Sequence, residues 1–303
     1  MTLSGPSIPS AVASATETRL LTIDDLDLHL VAASGFDAVA DAVGQLRESP
    51  YRNQLSGSGD ERDLDGRDPE YDHLLLVERS SGDLAGSARL QFIPVGASPL
   101  PGSSGSYLEH VYPGIQADLV SRTNHLEIGR VALAERFQRQ PHSLMALFRG
   151  GLLIAARSGY ALLHGLVSYN HFAHSDAVNS AFLSALLRPP YRRLDTPVPA
   201  PRHPVPGIRA DDTPHPSGHI QALEQEIRQT LSDDFRLPVL LRQYFNLMQA
   251  EVCDLSLALD FNQITEILMA ADLRRLPQER LALFIDLPHQ PVYQRFSWYR
   301  GDV

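Results

Sequence analysis

The sequence predicts an α/β (α+β) fold, in which a central mixed sheet is flanked by helices. The first observation is the order of segments, which runs strand, helix, hairpin, strand, helix and strand before an α+β tail. The second is a hairpin signal, since two apolar runs at 73–79 and 84–94 are joined by Ser-Ser-Gly-Asp. The third is a strand–helix–strand unit around residue 140, which implies a right-handed crossover between two parallel strands.

Hydrophobic periodicity places the elements of the first two thirds of the chain. Apolar residues alternate or run together in the strand segments and recur at i+3 and i+4 in the helical ones. The helix after residue 140 has Ser143 as its expected N-cap and stops at Gly159. Strands are predicted over 26–33, 124–133 and 160–167, and helices over 35–46 and 141–159.

The last third of the chain begins with a proline-rich excursion. Residues 188–218 contain nine prolines and are not expected to form regular structure. Residues 219–231 and 237–249 have helical periodicity. The pattern of residues 262–276, read by itself, predicts an amphipathic helix.

The domain organisation predicted is one domain over residues 21–303 behind a tail of residues 1–20. A chain of 303 residues can bury a full core. The tail is small, polar and rich in proline and serine, so we expect it to be disordered and not a signal peptide. The excursion at 188–218 belongs to the domain.

Composition excludes several classes of function. The net charge of −10 opposes nucleic-acid binding, which needs a basic face. All 26 basic residues are arginine, which excludes Schiff-base chemistry and a phosphate-binding-loop lysine. The single Cys253 excludes a disulfide framework and fits a reducing cytosol. We expect no transmembrane segment and a cytoplasmic location, with peripheral contact with the inner membrane left open.

The sequence "LEIGRVAL" places Glu127 and Arg130 inside an apolar strand. One interpretation is a structural ion pair between the two. The other is a general base, since burial in a partly apolar cleft raises the pKa of a carboxyl group. In a regular strand these two side chains lie on opposite faces, so we predict a bulge at Gly129 if both line one cleft.

Two further segments resemble metal sites weakly. The sequence "ERDLDGRDPEYD" at 61–72 has alternating acids, but its first position and its flanks do not fit a calcium loop. We interpret it as a solvated acidic loop that attracts a cationic substrate. His171 and His174 lack a third firm ligand, so we predict no metal.

Four segments in this order carry a resemblance: "YDHLLLVERSSGDLAGSARL", "LEIGRVALAERFQRQ", "DAVNSAFLSALLRPPYRRLD" and "LPVLLRQYFNLMQAEV", the last followed by "LDFNQITEIL". Together they resemble the bacterial ornithine-lipid-type N-acyltransferases, which are GNAT-fold enzymes often described as hemolysin-like. They are similar to the N-acyl amino acid synthases and, more distantly, to the acyl-homoserine-lactone synthases. The likeness covers roughly residues 25–285.

The resemblance implies a fold and a reaction. The fold is the GNAT acyltransferase fold, whose two central parallel strands splay apart. The reaction moves a fatty acyl group, commonly 3-hydroxylated, from acyl carrier protein to the α-amine of an amino acid, typically L-ornithine, which yields a lyso-ornithine lipid. The phosphopantetheine thioester is a co-substrate and no cofactor is expected. Acyl-CoA as donor, another amine as acceptor, and a non-catalytic lipid- or carrier-binding protein stay open as alternatives.

The resemblance also implies roles for individual residues. Glu127 is the expected general base, and Arg130 orients it or binds a carboxylate or carbonyl. Val131 is the expected oxyanion donor, and Ser168 and Tyr169 are expected to protonate the leaving group. The residues expected to contact the phosphopantetheine are Leu133, Arg136, Arg139 and Ser143. Those expected to contact the acceptor are Asp72, Glu109 and Asn262.

The chain departs from the family pattern in three places. The loop "RFQRQPHS" contains no glycine, which weakens a CoA pyrophosphate site and fits the single phosphate of a carrier protein. Arg188, Arg192 and Arg193 could extend an arginine patch for an acidic carrier, or be ordinary solvated surface. The family pattern makes "QITEILMA" a strand. In "YLEHVYPG" the family's aromatic residue after Glu109 is replaced by His110.

Overall fold

An eight-stranded sheet forms the centre of the molecule. The computed structural model describes residues 18–53, 60–96, 105–120, 124–193 and 198–282. The strand order is β1-β2-β3-β4-β5-β6-β8-β7, in which β5 and β6 are parallel and the other neighbours antiparallel. The strands are β1 Arg19–Ile23, β2 Leu26–Val31, β3 Asp72–Glu78, β4 Leu84–Ile93, β5 His125–Leu133, β6 Leu162–Tyr169, β7 Glu251–Ala258 and β8 Ile264–Asp272.

Helices cover both faces of the sheet. They are α1 Ala40–Asn53, α2 Tyr107–Val111, α3 Ile115–Val120, α4 Glu135–Gln138, α5 Pro141–Ser158, α6 Asp176–Leu186, α7 Ile220–Thr230, α8 Val239–Met248 and α9 Gln278–Ala282. Short 3-10 helices span Ala33–Ala38, Asp68–Glu70, His171–Ala173 and Leu273–Arg275.

Successive side chains of each strand lie on opposite faces of the sheet, so the core has two sides. On the side we call the rear face, Leu126 and Leu163 pack in one large apolar cluster with α5, α6, α7 and α8. On the opposite side, the front face, α1 packs against β3 to β5, and α2 and α3 pack against β6 and β8. This mixed sheet between helices confirms the predicted α/β fold.

Residues 262–276 contain the whole of β8 and a short 3-10 helix, and do not form an amphipathic α-helix. Every residue of β8 is buried, because the strand lies between β6 and β7 and is covered on both faces. A strand covered on both sides is apolar throughout, so its pattern resembles that of a buried helix. The helix predicted from periodicity alone is therefore wrong, and the strand implied by the family resemblance is confirmed.

The structure changes two local expectations and confirms a third. Helix α5 begins at Pro141 after Gln140, and Ser143 is buried inside its first turn, so Ser143 is not the N-cap. Proline suits the first helical position because its φ is already helical. The helix ends where expected, at Gly159 with a φ of 77°. Strand β1 begins at Arg19, inside the predicted tail, of which residues 1–17 lie outside the described residues.

The described part of the proline-rich excursion has no helix or strand and lies along the β7 edge. Pro204 forms an isolated bridge with Ser256, and the Arg188 Nε–H donates to the carbonyl of Thr213 at 2.8 Å. The hydroxyl of Tyr191 donates to the carbonyl of Ser217 at 2.5 Å. These contacts tie the excursion to the sheet.

Candidate active site

The parallel strands β5 and β6 separate soon after they meet. They pair only at His125↔Leu162, Leu126↔Leu163 and Glu127↔His164, whereas β6 stays paired with β8 as far as Tyr169. A Cβ on Gly165 would lie 2.8 Å from the Ile128 carbonyl oxygen, so glycine permits the close approach where the strands diverge. A cleft of about 610 Å³ opens at this point.

Glu127 lies at the base of the cleft and is 4% exposed. The Tyr71 hydroxyl donates to Oε1 at 2.7 Å, and the Leu108 N–H donates to Oε2 at 3.3 Å. The Tyr71 oxygen in turn accepts from the Tyr107 N–H at 2.8 Å, which directs the hydroxyl proton toward Glu127. The Glu127 carboxylate is thereby held in one orientation.

The environment of Glu127 acts on its pKa in two directions. Burial is the largest effect and raises the pKa, because the charged form loses its hydration. Hydrogen bonds from Tyr71, Ser106 and Leu108, and the positive charge of Arg89, lower it. The net result is a raised pKa. A carboxylate with a raised pKa is a stronger base, which is the property that a general base needs.

Arg130 lies in a bulge of β5. The β4–β5 register moves from Arg89↔Gly129 to Ser87↔Ala132, so two residues of β5 face one of β4. Arg130 has a φ of 51°, in the left-handed region. Both Glu127 and Arg130 line the cleft, so the predicted irregularity is confirmed, one residue beyond Gly129.

Arg130 does not pair with Glu127. Its Nη1 donates to both oxygens of Asp63 at 2.7 and 2.6 Å, and its Nη2 donates to Asp65 at 3.1 Å. The guanidinium also lies 4.0 Å from the ring centroid of Phe261. The structural ion pair between Glu127 and Arg130 is therefore wrong, as is the expectation that Arg130 orients Glu127 directly.

The acidic loop at 61–72 is exposed in part, but two of its carboxylates are buried. Asp63 and Asp68 are 3% and 0% exposed. Asp68 accepts from Arg47 at 2.7 Å and from Arg89 at 3.0 Å. The interpretation of this loop as a solvated surface is therefore wrong for Asp63, Asp65 and Asp68, because these carboxylates form ion pairs with arginines. Glu61 is exposed, as expected.

A second carboxyl group lines the cleft and was not predicted from the sequence. Glu266 of β8 is 4% exposed, and its Oε1 accepts from the Tyr107 hydroxyl at 3.1 Å. Burial, followed by the charge of Asp260, raises the pKa of Glu266 to about 8. The signal was present in "ITEILMA", where an acid again interrupts an apolar strand.

Val131, Ser168 and Tyr169 all line the cleft. The Tyr169 hydroxyl donates to Asn179 Oδ1 at 2.7 Å, and burial raises its pKa. Ser168 is exposed at the cleft wall. Tyr244 of α8 also lines the cleft, and its hydroxyl lies 3.5 Å from where a Cβ on Gly165 would be.

The residues predicted to contact the donor are dispersed. Leu133 lines the cleft, as do Gln138 and Leu144 near it. Arg136 forms ion pairs with Glu78 and Asp83, each at 2.8 Å. Arg139 is exposed and Ser143 is buried, and neither is among the described residues that line the cleft.

The residues predicted to contact the acceptor have structural partners or lie outside the cleft. Asp72 accepts from the Ala33 N–H at 2.9 Å. Glu109 accepts from the N–H groups of Gly114 and Gln116 at 2.7 and 2.9 Å. Asn262 has a φ of 50° between β7 and β8. Among the described residues, these three are not part of the cleft lining.

The predicted arginine patch is mostly paired. Arg188 and Arg192 form ion pairs with Asp211 at 3.4 Å and Asp212 at 2.8 Å. Arg193 lies 3.9 Å from Glu251. This pairing reduces the charge that the patch could offer to an acidic partner.

A small apolar cavity of about 20 Å³ lies behind the cleft on the rear face. Ile128, Val131, Leu240 and Tyr244 line both spaces, so the two adjoin across the opening between β5 and β6. The far wall of the cavity comes from β3, β4, α5 and α8. It consists of Leu74, Ala88, Leu147, Phe148, Gly151, Leu152 and Met248.

Neither histidine of the "HFAH" motif is part of a metal-binding group in the described chain. His171 Nδ1 lies 3.0 Å from the Thr265 hydroxyl, and the ring of His174 stacks on that of Tyr169. None of the helices in the described residues is long and apolar enough to cross a membrane.

Residues 46–148 match the family model of the acetyltransferase (GNAT) domain. The match includes β3, β4 and β5, and therefore Glu127 and the bulge at Arg130. The matched segment covers about a third of the chain, and it indicates an acyltransferase domain of the GNAT type in that part.

Solved structures with distant similarity include two synthases and a loading domain. The N-acyl amino acid synthase FeeM, from uncultured soil microbes, is 12% identical, with 86% of this chain and 98% of that chain covered and a TM-score of 0.46. The CoA-dependent acyl-homoserine lactone synthase BjaI is 12% identical, with coverages of 87% and 90% and a TM-score of 0.45. The loading GNATL domain of CurA from Lyngbya majuscula is 13% identical, with coverages of 84% and 100% and a TM-score of 0.40. No curated protein matches this chain.

Proposed function

We propose that this enzyme moves a fatty acyl group from the phosphopantetheine thioester of acyl carrier protein to the α-amine of an amino acid, with L-ornithine as the first candidate. The observation that carries the proposal is the position of Glu127, buried at the base of the cleft that opens between β5 and β6. A thioester entering between the separated strands would meet an amine held on the front face beside this carboxylate.

Glu127 supplies the base that N-acylation requires. Free amino acid amines are mostly protonated at neutral pH, and only the neutral amine attacks a carbonyl. Glu127 takes the proton, and the nitrogen lone pair forms the new C–N bond at the thioester carbon. The C–S bond then breaks and the electron pair leaves with sulfur as a thiolate. The nitrogen gives up its second proton to become the amide, and the thiolate takes up one proton to become the thiol. The carboxylate is suited to this role because Tyr71 and Leu108 fix its orientation while burial raises its pKa.

The bulge at Arg130 supports an oxyanion donor at Val131. A bulge takes one residue of the strand out of the regular ladder, which leaves a backbone N–H available for another acceptor. Val131 adjoins the bulge and lines the cleft. Its N–H is our candidate for stabilising the negative oxygen of the tetrahedral intermediate.

Two hydroxyl groups are candidates for protonating the leaving thiolate. Ser168 is exposed at the cleft wall, and the Tyr244 hydroxyl lines the cleft near Gly165, where β5 and β6 begin to separate. Tyr169 is less suited, because its hydroxyl already donates to Asn179. We therefore place Ser168 and Tyr244 ahead of Tyr169.

The cavity on the rear face is our candidate site for the acyl chain. It is entirely apolar in its lining and adjoins the cleft through Ile128 and Tyr244. Its volume of about 20 Å³ is close to that of one water molecule, so a fatty acyl chain must displace the side chains around it. Chain length would then be set by the side chains of α5 and α8 that form the far wall.

The mouth of the cleft favours a carrier protein as donor. Val239 lines the cleft and is 62% exposed, and Arg236, three residues earlier in the chain, also lines the cleft and is exposed. An exposed apolar side chain near a guanidinium is complementary to an acidic carrier with an apolar contact. The loop between α4 and α5 has no glycine for close approach to a pyrophosphate, which counts against the alternative donor, acyl-CoA.

The test is a mass-spectrometric product assay with the purified full-length chain. A 3-hydroxyacyl carrier protein and the matching acyl-CoA are offered in parallel to a pool of amino acids. An acyl–ornithine adduct from the carrier donor alone is the expected result. An adduct from acyl-CoA alone would overturn the donor, and an adduct of another amino acid would replace the acceptor. Folded protein that gives no adduct from either donor would favour a non-catalytic carrier- or lipid-binding protein.

A further inference from the structure

The carboxyl groups of Glu266, which lines the cleft, and Asp260 lie close to one tyrosine hydroxyl. The Tyr107 hydroxyl lies 3.1 Å from Glu266 Oε1 and 3.2 Å from Asp260 Oδ1. A phenol carries one proton and can donate to only one of these carboxylates at a time. The Ser256 hydroxyl faces Glu266 from β7 and lowers its pKa, and Glu266 Oε2 has no other hydrogen-bond partner among the described residues. The pair therefore has more acceptor oxygens than donors.

The nearby arginines do not neutralise this pair. Arg130 attracts Glu266, but its guanidinium donates to Asp63 and Asp65. Arg89 is likewise bound to Asp65 and Asp68. Within the described ranges, neither Glu266 nor Asp260 forms an ion pair. Burial and the charge of Asp260 then keep Glu266 mostly protonated at neutral pH, in the absence of a cation.

Glu127 and Glu266 are suitably placed to bind two amines of one molecule. Both line the front side of the same cleft. Tyr107 connects them, because its backbone N–H reaches Glu127 through the Tyr71 hydroxyl and its own hydroxyl reaches Glu266. Tyr107 therefore contacts both groups, directly for Glu266 and through Tyr71 for Glu127. Two carboxyl groups that line one cleft suit a flexible acceptor with an amine at each end.

We propose that Glu266, together with Asp260, binds a second ammonium group of the acceptor while Glu127 serves the amine that is acylated. The acceptor class is then a molecule with two amines, and within the proposed function a diamino acid. This inference rests on the proposed acyl transfer and identifies what distinguishes the acceptor. Asp260 is exposed and Glu266 is buried, so the ammonium would enter past Asp260 and settle against Glu266.

The test compares three acceptors that differ by one group each. Ornithine has both amines and the carboxylate, norvaline lacks the second amine, and putrescine lacks the carboxylate. The wild-type enzyme should use ornithine and putrescine with a kcat/KM at least about tenfold above that for norvaline. The Glu266→Gln variant should lose about tenfold or more for ornithine, through KM, and keep its norvaline rate. Glu251→Gln is the control, since Glu251 is a β7 carboxylate outside the cleft that pairs with Arg275.

Calorimetric titration with ornithine separates this inference from the proposed function. Binding a cation to a protonated Glu266 at pH 7 should release a proton to the buffer in the wild type and not in Glu266→Gln. If ornithine binds in this way but no product forms from either donor, the inference stands and the proposed function fails. Equal use of norvaline and ornithine, an unchanged ornithine KM in Glu266→Gln, or the absence of ornithine binding would each overturn the inference.

Discussion

At the scale of single residues, Glu127 and Tyr71 form the central contact of the site. The hydroxyl of Tyr71 accepts from a backbone N–H and donates to the carboxylate, so its proton has one direction. The bond stabilises the ionised form of Glu127 and offsets part of the effect of burial on its pKa. Tyr71 therefore lowers the pH at which the base becomes active, against the larger effect of burial.

Tyr71→Phe should move the acid limb of the pH–rate profile to higher pH. Loss of the hydrogen bond removes a contribution that lowers the pKa of Glu127, so that pKa rises. A general base acts when deprotonated, so the rate then needs a higher pH to reach its plateau. The measurement is kcat/KM against pH, with Tyr160→Phe, a tyrosine outside the cleft lining, as the control. An acid limb that stays in place, or that moves to lower pH, would exclude Glu127 as the titrating base.

The sequence predicted only part of the site at this scale. Glu127 and Arg130 could be found because charged residues inside an apolar strand indicate either an ion pair or a functional site. Asp63 and Asp65 could not be assigned to Arg130, because contacts between residues that are distant in the chain leave no local pattern. Glu266 was missed because its strand was apolar enough to resemble a helix.

At the scale of elements, the divergence of β5 and β6 depends on Gly165. A methyl group there would lie 2.8 Å from the Ile128 carbonyl oxygen, and backbone must move to accept it. Gly165→Ala should therefore lower the free energy of unfolding by about 1–3 kcal/mol and reduce kcat/KM for the acyl donor. Gly66→Ala is the control, since a Cβ at Gly66 meets nothing within 4 Å. Denaturant unfolding and donor kinetics check both parts, and wild-type values for Gly165→Ala would contradict this role.

The apolar cavity between the sheet and the rear helices predicts a chain-length effect. Phe148 of α5 lines the cavity and packs edge-on against Tyr244, with ring centroids 5.3 Å apart. Phe148→Leu removes ring volume and keeps the wall apolar, so longer acyl chains should be preferred. The assay is a competition between acyl donors of different lengths, with Phe36→Leu in the front-face cluster as the control. An unchanged length preference would place the acyl chain elsewhere.

Elements with local signals were predicted well. The β3–β4 hairpin and the parallel β5–β6 pair follow from turn residues and from the strand–helix–strand order. The start of α5 was misplaced because serine is a frequent N-cap, whereas the proline at 141 decides the first turn here. A strand that is buried on both faces is apolar throughout, so its sequence shows neither a helical nor a strand period. For this reason β8 was predicted from the family resemblance and not from periodicity.

At the scale of the whole molecule, some of the acidic residues pair with arginines inside the fold. The net charge is −10, yet Asp65 and Asp68 are counter-ions to buried arginines. Burial opposes ionisation of both groups, but the arginines outweigh it and lower the pKa of each carboxyl. Their contribution to stability is present above the unfolded pKa near 3.9 and is lost as the pH falls below it.

Glu266 should have the opposite effect on stability. Its pKa is raised to about 8, so the folded state holds a proton that the unfolded state has released, and stability falls as pH rises from about 4 to 8. Glu266→Gln should match the wild type near pH 4 and exceed it above pH 8, by on the order of a few kcal/mol. Thermal unfolding from pH 3 to pH 9 measures the difference. A glutamine variant that is less stable at every pH would contradict the raised pKa.

The most direct test of the account is the single-turnover rate of Glu127→Gln with the acyl donor that the product assay identifies. Glutamine preserves the shape of the side chain and can still accept a hydrogen bond from Tyr71, but it cannot take a proton. We predict a loss of about 100- to 10,000-fold in the acyl-transfer rate, with an unfolding midpoint close to that of the wild type. A rate within a few fold of the wild type, or a variant that unfolds, would show that Glu127 has a structural role and would contradict the account.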